Sequence, residues 1–169
     1  MRHFIVPEIQ RQENEKLLEE AIQVYQKAIE INPDDDVAYY NMAKVYLEFG
    51  KYDEAIQAFQ KAIEINPENE DAYHEMGITF FKLGKYSEAV QTFQKAVEIR
   101  PEDDAYCNMG IVYFDLGKYN EAIQAFQKAI EINPDHADAY NNMGITYQKT
   151  GDEAKAKECF QKRDELKNK

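Results

Sequence analysis

Residues 55–67, AIQAFQKAIEINP, and residues 122–134 carry the same thirteen letters in the same order. A copy of that length inside a 169-residue chain marks an internal repeat, and the columns around it give the period. Pro33, Pro67, Pro101 and Pro134 follow one another after 34, 34 and 33 residues, and Gly50, Gly84, Gly117 and Gly151 after 34, 33 and 34. Three further columns keep step: Ala55, Ala89, Ala122 and Ala156; Phe59, Phe93, Phe126 and Phe160; Tyr39, Tyr73, Tyr106 and Tyr140. Units of this size, each with two amphipathic runs split by a glycine and closed by a proline, predict an all-helical array. Each unit then buries its apolar face against its neighbours.

Within Asp36–Asn69, Tyr39, Met42, Ala43 and Tyr46 recur at three- and four-residue spacing up to Gly50, the mark of an amphipathic helix. Tyr52, Ala55, Ile56, Phe59, Ala62, Ile63 and Ile65 repeat that spacing as far as Asn66-Pro67, where proline cannot continue a helix. Small residues at Ala43, Ala55 and Ala62, matched by Gly77, Ala89 and Ala96 one unit later, let two helix backbones approach closely. Tyr39, Tyr46 and Phe59 fill the space beside them.

The run Tyr73-His74-Glu75-Met76-Gly77-Ile78-Thr79-Phe80, continued by Ala89, Phe93 and Pro101, resembles the tetratricopeptide repeat. That family shows an aromatic residue, then Leu-Gly, then Ala-x3-Phe and a closing proline; here Tyr stands for the usual Trp and Met for Leu. The resemblance implies an all-α fold, a right-handed superhelical solenoid of antiparallel helix pairs. On its pattern the chain divides into an N-terminal segment (1–16), a lone second-type helix (17–35), repeats at 36–69, 70–102 and 103–136, and a capping repeat at 137–169.

Both ends depart from the pattern. In the last helix Lys157 and Asp164 stand where Ile56 and Ile63 stand earlier, and Arg163 replaces the small Ala62, so that helix is expected to face water and end the array. At the front, Ala21, Tyr25, Ala28 and Ile29 match Ala55, Phe59, Ala62 and Ile63, yet no first helix and no glycine turn precede them. Pro7 is placed to open a helix, so Glu8–Ile31 is a candidate for one long helix. The apolar side of Ala21, Tyr25 and Ala28 then lacks its usual partner. Three covers are open: the Phe4-Ile5-Val6 segment folded back, a second copy of the chain in a homodimer, or another protein. One loop, Pro101-Glu102-Asp103-Asp104, is a residue shorter than its equivalents.

Charge and composition exclude several classes of function. A formal net charge of -12 argues against a nucleic-acid backbone or an anionic membrane surface as partner. No run approaches the roughly 18 apolar residues of a membrane span, and the apolar run after Met1 is shorter than the roughly 7 to 15 residues of a signal-peptide core. Cys107 and Cys159 fall in different repeats and helix types, which implies no disulfide framework and suits a reducing, cytoplasmic setting. His3, His74 and His136 are scattered, and no metalloprotease, phosphate-loop or CxxC motif is present. The expectation is therefore no enzyme, no cofactor and no metal. His74 and Cys107 share a column with Glu75 near, but a third and fourth ligand are missing. The acidic strings at 34–36 and 102–104 suit the N-termini of the helices that follow.

The resemblance also implies that first helices line a concave groove that takes an extended or helical peptide. Variation among the units gathers on those helices, in the columns of Tyr40, His74, Cys107 and Asn141, of Lys44, Ile78, Ile111 and Ile145, and of Leu47, Phe81, Phe114 and Gln148. The candidate ligand-binding set is Tyr40, Asn41, Lys44, His74, Ile78, Phe81, Asn108, Ile111, Phe114, Asn142 and Ile145. Ile78, Phe81, Ile111, Phe114 and Ile145 form an apolar strip in it, the kind of patch that marks an interaction site. Some relatives clamp acidic chaperone tails through lysines and an arginine; here Asp71, Asp104 and Asp138 occupy a lysine column, which points instead to an apolar segment with basic residues. The function expected is a protein-interaction adaptor or scaffold for a protein or peptide. The alternative is a self-assembling module joined through Phe4, Ile5, Val6, Ala21, Tyr25 and Ala28.

Overall fold

The structure, a computed structural model, describes residues 5–168, and for residues 5–12 and 14 only the backbone course. Phe4 lies outside the described residues, and Ile5 and Val6 are known only as the start of the first helix. Among the described residues there are nine α-helices and no strand: α1 (Ile5–Ile31), α2 (Asp36–Glu48), α3 (Tyr52–Ile65), α4 (Glu70–Lys82), α5 (Tyr86–Ile99), α6 (Asp103–Asp115), α7 (Tyr119–Ile132), α8 (Ala137–Thr150) and α9 (Glu153–Lys167). They fall into two compact units, Met1–Ala72 and Tyr73–Lys169. The first holds α1 packed on α2 and α2 on α3; in the second α5, α6, α7, α8 and α9 pack each on the next, and α6 also touches α8.

The glycine columns make the turns between paired helices. Gly117 has φ +72°, a left-handed conformation that L side chains resist, and sits just past the C-cap Leu116 of α6. From there Gly117 N–H donates to Phe114 C=O (2.9 Å) and Lys118 N–H to Tyr113 C=O (2.9 Å), closing the carbonyls that the helix end leaves orphaned. Tyr119 opens the next helix two residues later, so the pair is antiparallel with almost no loop. At the other end of α7, Asn133 turns extended before Pro134, and its Nδ2 donates to Asp103 Oδ2 at 2.6 Å. Asn66 does the same in the first unit, reaching Asp36 Oδ2 at 2.8 Å. An amide at the end of a second helix thereby ties down the first residue of its own repeat.

Small residues govern the crossing inside each pair, as their spacing predicts. A Cβ built on Gly110 would stand 2.6 Å from Phe126 Cε1, so the Phe126 ring uses the space that glycine leaves. Gly77 against Phe93 and Gly144 against Phe160 repeat this contact. Phe59, Phe93 and Phe126 are wholly enclosed, with Ala55, Ala62, Ala89, Ala122 and Ala129 around them. Burying such a ring is worth about 1.5–3 kcal/mol relative to leaving it exposed.

The shortened loop removes a helix cap. Asp35 Oδ1 accepts from Ala38 N–H (2.9 Å) and Asn69 Oδ1 from Ala72 N–H (3.0 Å), whereas Glu102, extended before α6, makes no such bond. In α9 Lys157 and Asp164 face water as expected, and Arg163 lies over the Phe160 ring (5.0 Å to the centroid) while donating to Asn141 Oδ1 (2.8 Å).

Candidate functional site

In the first unit Tyr40 and Asn41 of α2 are half-buried and Lys44 is exposed. The Tyr40 ring sits 5.8 Å from that of Phe59, and Lys44 Nζ stands 5.6 Å above it. In the second unit His74 repeats Tyr40: its ring is 5.7 Å from Phe93 and its Nε2 is 2.9 Å from Asn108 Nδ2, linking α4 to α6. This column therefore roofs the buried phenylalanine of its own repeat. A large ring there stays half in water, but Cys107 is too short and sinks to 5 % exposure in the Phe126 cluster. Cys107 is thus a core residue and not a groove residue, and His74 pairs with an amide rather than with that thiol.

Burial pushes the Cys107 thiol up to about 11, with the carboxylates of Asp104, Asp138 and Asp103 adding to the rise; Asn142 Nδ2, which donates to Sγ at 3.9 Å, opposes it. Two features follow. The thiol stays protonated and unreactive at neutral pH, and the N-terminal ends of α6 and α8 carry a shared negative field.

The apolar strip runs over two core clusters, and Ile111 and Phe114 rest on the Phe126 cluster as Ile78 and Phe81 rest on that of Phe93. Ile78 and Phe81 pack onto the core around Ala89 and Phe93, with the Phe81 ring 5.7 Å from Tyr86. Ile111, Phe114, Asn142 and Ile145 come together, and with Phe126 they line a recess of about 100 Å³ between α6 and α8. Its walls are mostly apolar, and Asn142 supplies the one polar group at its edge. That volume suits one branched aliphatic side chain. Phe126 forms the floor; its column is constant along the chain, and the glycine opposite it at 110 is the sequence signal that its ring lies open on that side. Asn108 is engaged with His74, and Asn142 donates to Cys107 while its carbonyl accepts from Asn141 Nδ2 (3.4 Å); each amide still has a second N–H for a ligand.

A second surface lies on α1. Leu18, Ile22, Tyr25 and Ile29 are the seam turned to the protein, Ile22 buried and the others half-buried. Beside it Leu17, Val24 and Ile31 are 56 %, 64 % and 87 % exposed, with half-buried Ala21 and Ala28 between them. Later helices carry Lys51, Lys85 and Lys118 in the column of Leu17, and Ala58, Thr92 and Ala125, all buried, in that of Val24. So at these columns α1 carries larger apolar side chains than its sister helices while having less cover, and the Leu17–Val24–Ile31 heptad is legible in the sequence.

Among the described residues no helix is long and apolar enough to cross a membrane. The TPR repeat model matches residues 17–50, 44–84, 79–117 and 110–151, and a second tetratricopeptide model matches 137–169. A comparison with curated proteins returns no match. Among solved structures, a crystal structure of MamA is similar with TM-score 0.85 and 26% identity, covering 94% of this chain and 93% of that one. The segment of MamA from residue 41 onward from Desulfovibrio magneticus RS-1, at 23% identity, gives TM-score 0.82 over 95% and 94% of the two chains, a likeness of fold. YrrB, whose structure is described as that of a TPR protein with an unusual peptide-binding site, is 32% identical with TM-score 0.76, over 89% of this chain and 78% of its own. With repeat matches running from residue 17 to the last residue and helix pairs closed by the same glycines and prolines, the chain belongs to the tetratricopeptide repeat family, an all-α solenoid of helix pairs.

Proposed function

We propose that the protein is an interaction scaffold whose second unit holds an apolar segment of a partner protein, extended or helical, at the surface of α6 and α8. The observation that carries this is the recess between Ile111, Phe114, Asn142 and Ile145, floored by Phe126. One aliphatic side chain of the ligand enters it, Asn142 meets the ligand backbone, and the acids at the ends of α6 and α8 favour a flanking Lys or Arg. His74, Ile78, Phe81 and Asn108 extend that surface, and Tyr40, Asn41 and Lys44 offer a further contact on the first unit. The likeness to YrrB supports a peptide as ligand. No nucleic acid, membrane or catalytic step belongs to this proposal, and the setting is cytoplasmic.

Selection of a random peptide library on the full chain tests it. Enriched peptides should carry a Leu, Ile or Met beside a basic residue, and Ile145→Glu, at a position 37 % exposed, should weaken them at least tenfold without moving the melting temperature. A library that yields nothing above background, or equal binding by the variant, overturns the proposal.

The exposed heptad of α1 favours a second role, self-assembly. Leu17, Ala21, Val24, Ala28 and Ile31 recur at four- and three-residue spacing, the seam of a two-stranded coiled coil. Run antiparallel against its copy, α1 sets Glu20 of each chain near Lys27 of the other, along one side of the seam. Light scattering should then report a dimer that Val24→Glu with Leu17→Glu converts to monomer. A wild-type monomer at high micromolar concentration removes this role and leaves the peptide site untouched.

A further inference from the structure

The loop between α7 and α8 holds a group for which the repeat gives no structural use. His136 is the N-cap residue of α8, in the column of Asp35 and Asn69. Those two spend their side-chain oxygens on the backbone N–H of the helix they open; His136 makes no cap bond. A capping side chain stabilises the helix it opens, so histidine here forgoes stability that its two counterparts retain. Its side chain is only 12 % exposed, and Nε2, closed off from solvent, has no hydrogen-bond partner. That nitrogen faces Asp104 Oδ1 at 3.4 Å.

Asp103, from the same first turn of α6, completes a cluster in which one atom each from Asp103, Asp104 and His136 lies within 4.8 Å of the others. Asn133 Nδ2 donates to Asp103 Oδ2 at 2.6 Å and so fixes that carboxylate from behind. Oriented ligands supported in this way are typical of metal sites. The first unit lacks the set: Asp36 keeps its amide clamp, but Val37 stands for Asp104 and Asn69 for His136.

We propose that Asp103, Asp104 and His136 bind one divalent transition-metal ion, zinc being the fitting choice. An imidazole nitrogen among the donors disfavours calcium and magnesium, which take oxygen ligands, and suits zinc, cobalt or nickel. Asp104 is exposed and already faces His136, so a rotamer change of its side chain lets the three donors close to metal-ligand distances of about 2.0–2.2 Å. Water fills the remaining positions. The bound ion joins the start of α6 to the loop before α8, two points 33 residues apart in the chain.

Isothermal titration of the full chain with zinc chloride in chelator-free buffer tests the site, with cobalt absorption as a second reading of the ligand field. Expected is one ion per chain, with affinity at least tenfold lower in His136→Asn and in Asp104→Asn. His136→Asn installs the residue that caps the equivalent helix α4, so melting and circular dichroism should show it folded. His74→Asn should bind as wild type does. A wild-type chain that takes up no zinc at millimolar concentration overturns the assignment, and so does undiminished binding by His136→Asn.

Discussion

Helices α1 and α7 occupy the same place in the repeat and differ in what covers them. In α7 the residues Ala122, Phe126 and Ala129 are wholly buried, because α6 arrives through a three-residue turn and lies across them. In α1 the equivalents Ala21, Tyr25 and Ala28 are only half-buried, and no first helix precedes them among the described residues. Amphipathic patterning shapes both helices, but only a paired helix turns an apolar stripe into core. An unpaired one presents it as a surface, which is why the same column carries Ala125 in α7 and Val24 in α1.

The largest expected effect sharpens that contrast. Phe126→Ala should cost about 3–5 kcal/mol, whereas Tyr25→Ala, which removes a half-exposed ring, should cost well under half as much in the same urea titration. Equal losses would mean that the first unit buries α1 more firmly than its exposure indicates. Next comes Gly110→Ala. The added Cβ would meet the Phe126 ring at 2.6 Å, and overpacking of this kind costs about 1–3 kcal/mol. Ala43, fully buried in the same column of α2, already accommodates that methyl group, so a neutral result would show that the phenylalanine can shift in both units.

The smallest effect concerns Cys107. Its thiol is raised from 9.0 to about 11 in the folded chain, so the unfolded chain loses its proton first. The corresponding stability is intact below pH 9 and drains away as pH climbs through about 11, a decline that Cys107→Ala should flatten in urea titrations at several pH values. Below pH 9 alkylation of Cys107 should also lag far behind that of the urea-unfolded chain.

Gly117, Pro134 and the alanine columns made the helix pairs legible, since turn chemistry and close packing leave few other residues usable at those points. The candidate site was legible in part. Ile111, Phe114, Asn142 and Ile145 gather as their columns suggest. Ile78 and Phe81 are half-buried over the Phe93 core as Ile111 and Phe114 are over Phe126, whereas Cys107 sinks, because column position fixes direction while side-chain length fixes depth. His136 is one of three scattered histidines in the sequence, and a lone histidine in a polar loop carries no signal until α6 brings two carboxylates to it.

The thirteen-residue identity between α3 and α7 bears on how the chain finds its pairs. Nothing in the letters of residues 55–67 and 122–134 tells an incoming first helix which copy is its own. The choice rests on tether length: Leu116-Gly117-Lys118 holds α7 beside α6, while any wrong partner must close a far longer loop at greater entropic expense. Lengthening that turn with a flexible insert would erode this advantage, and misregistered or exchanged pairings should then compete during refolding.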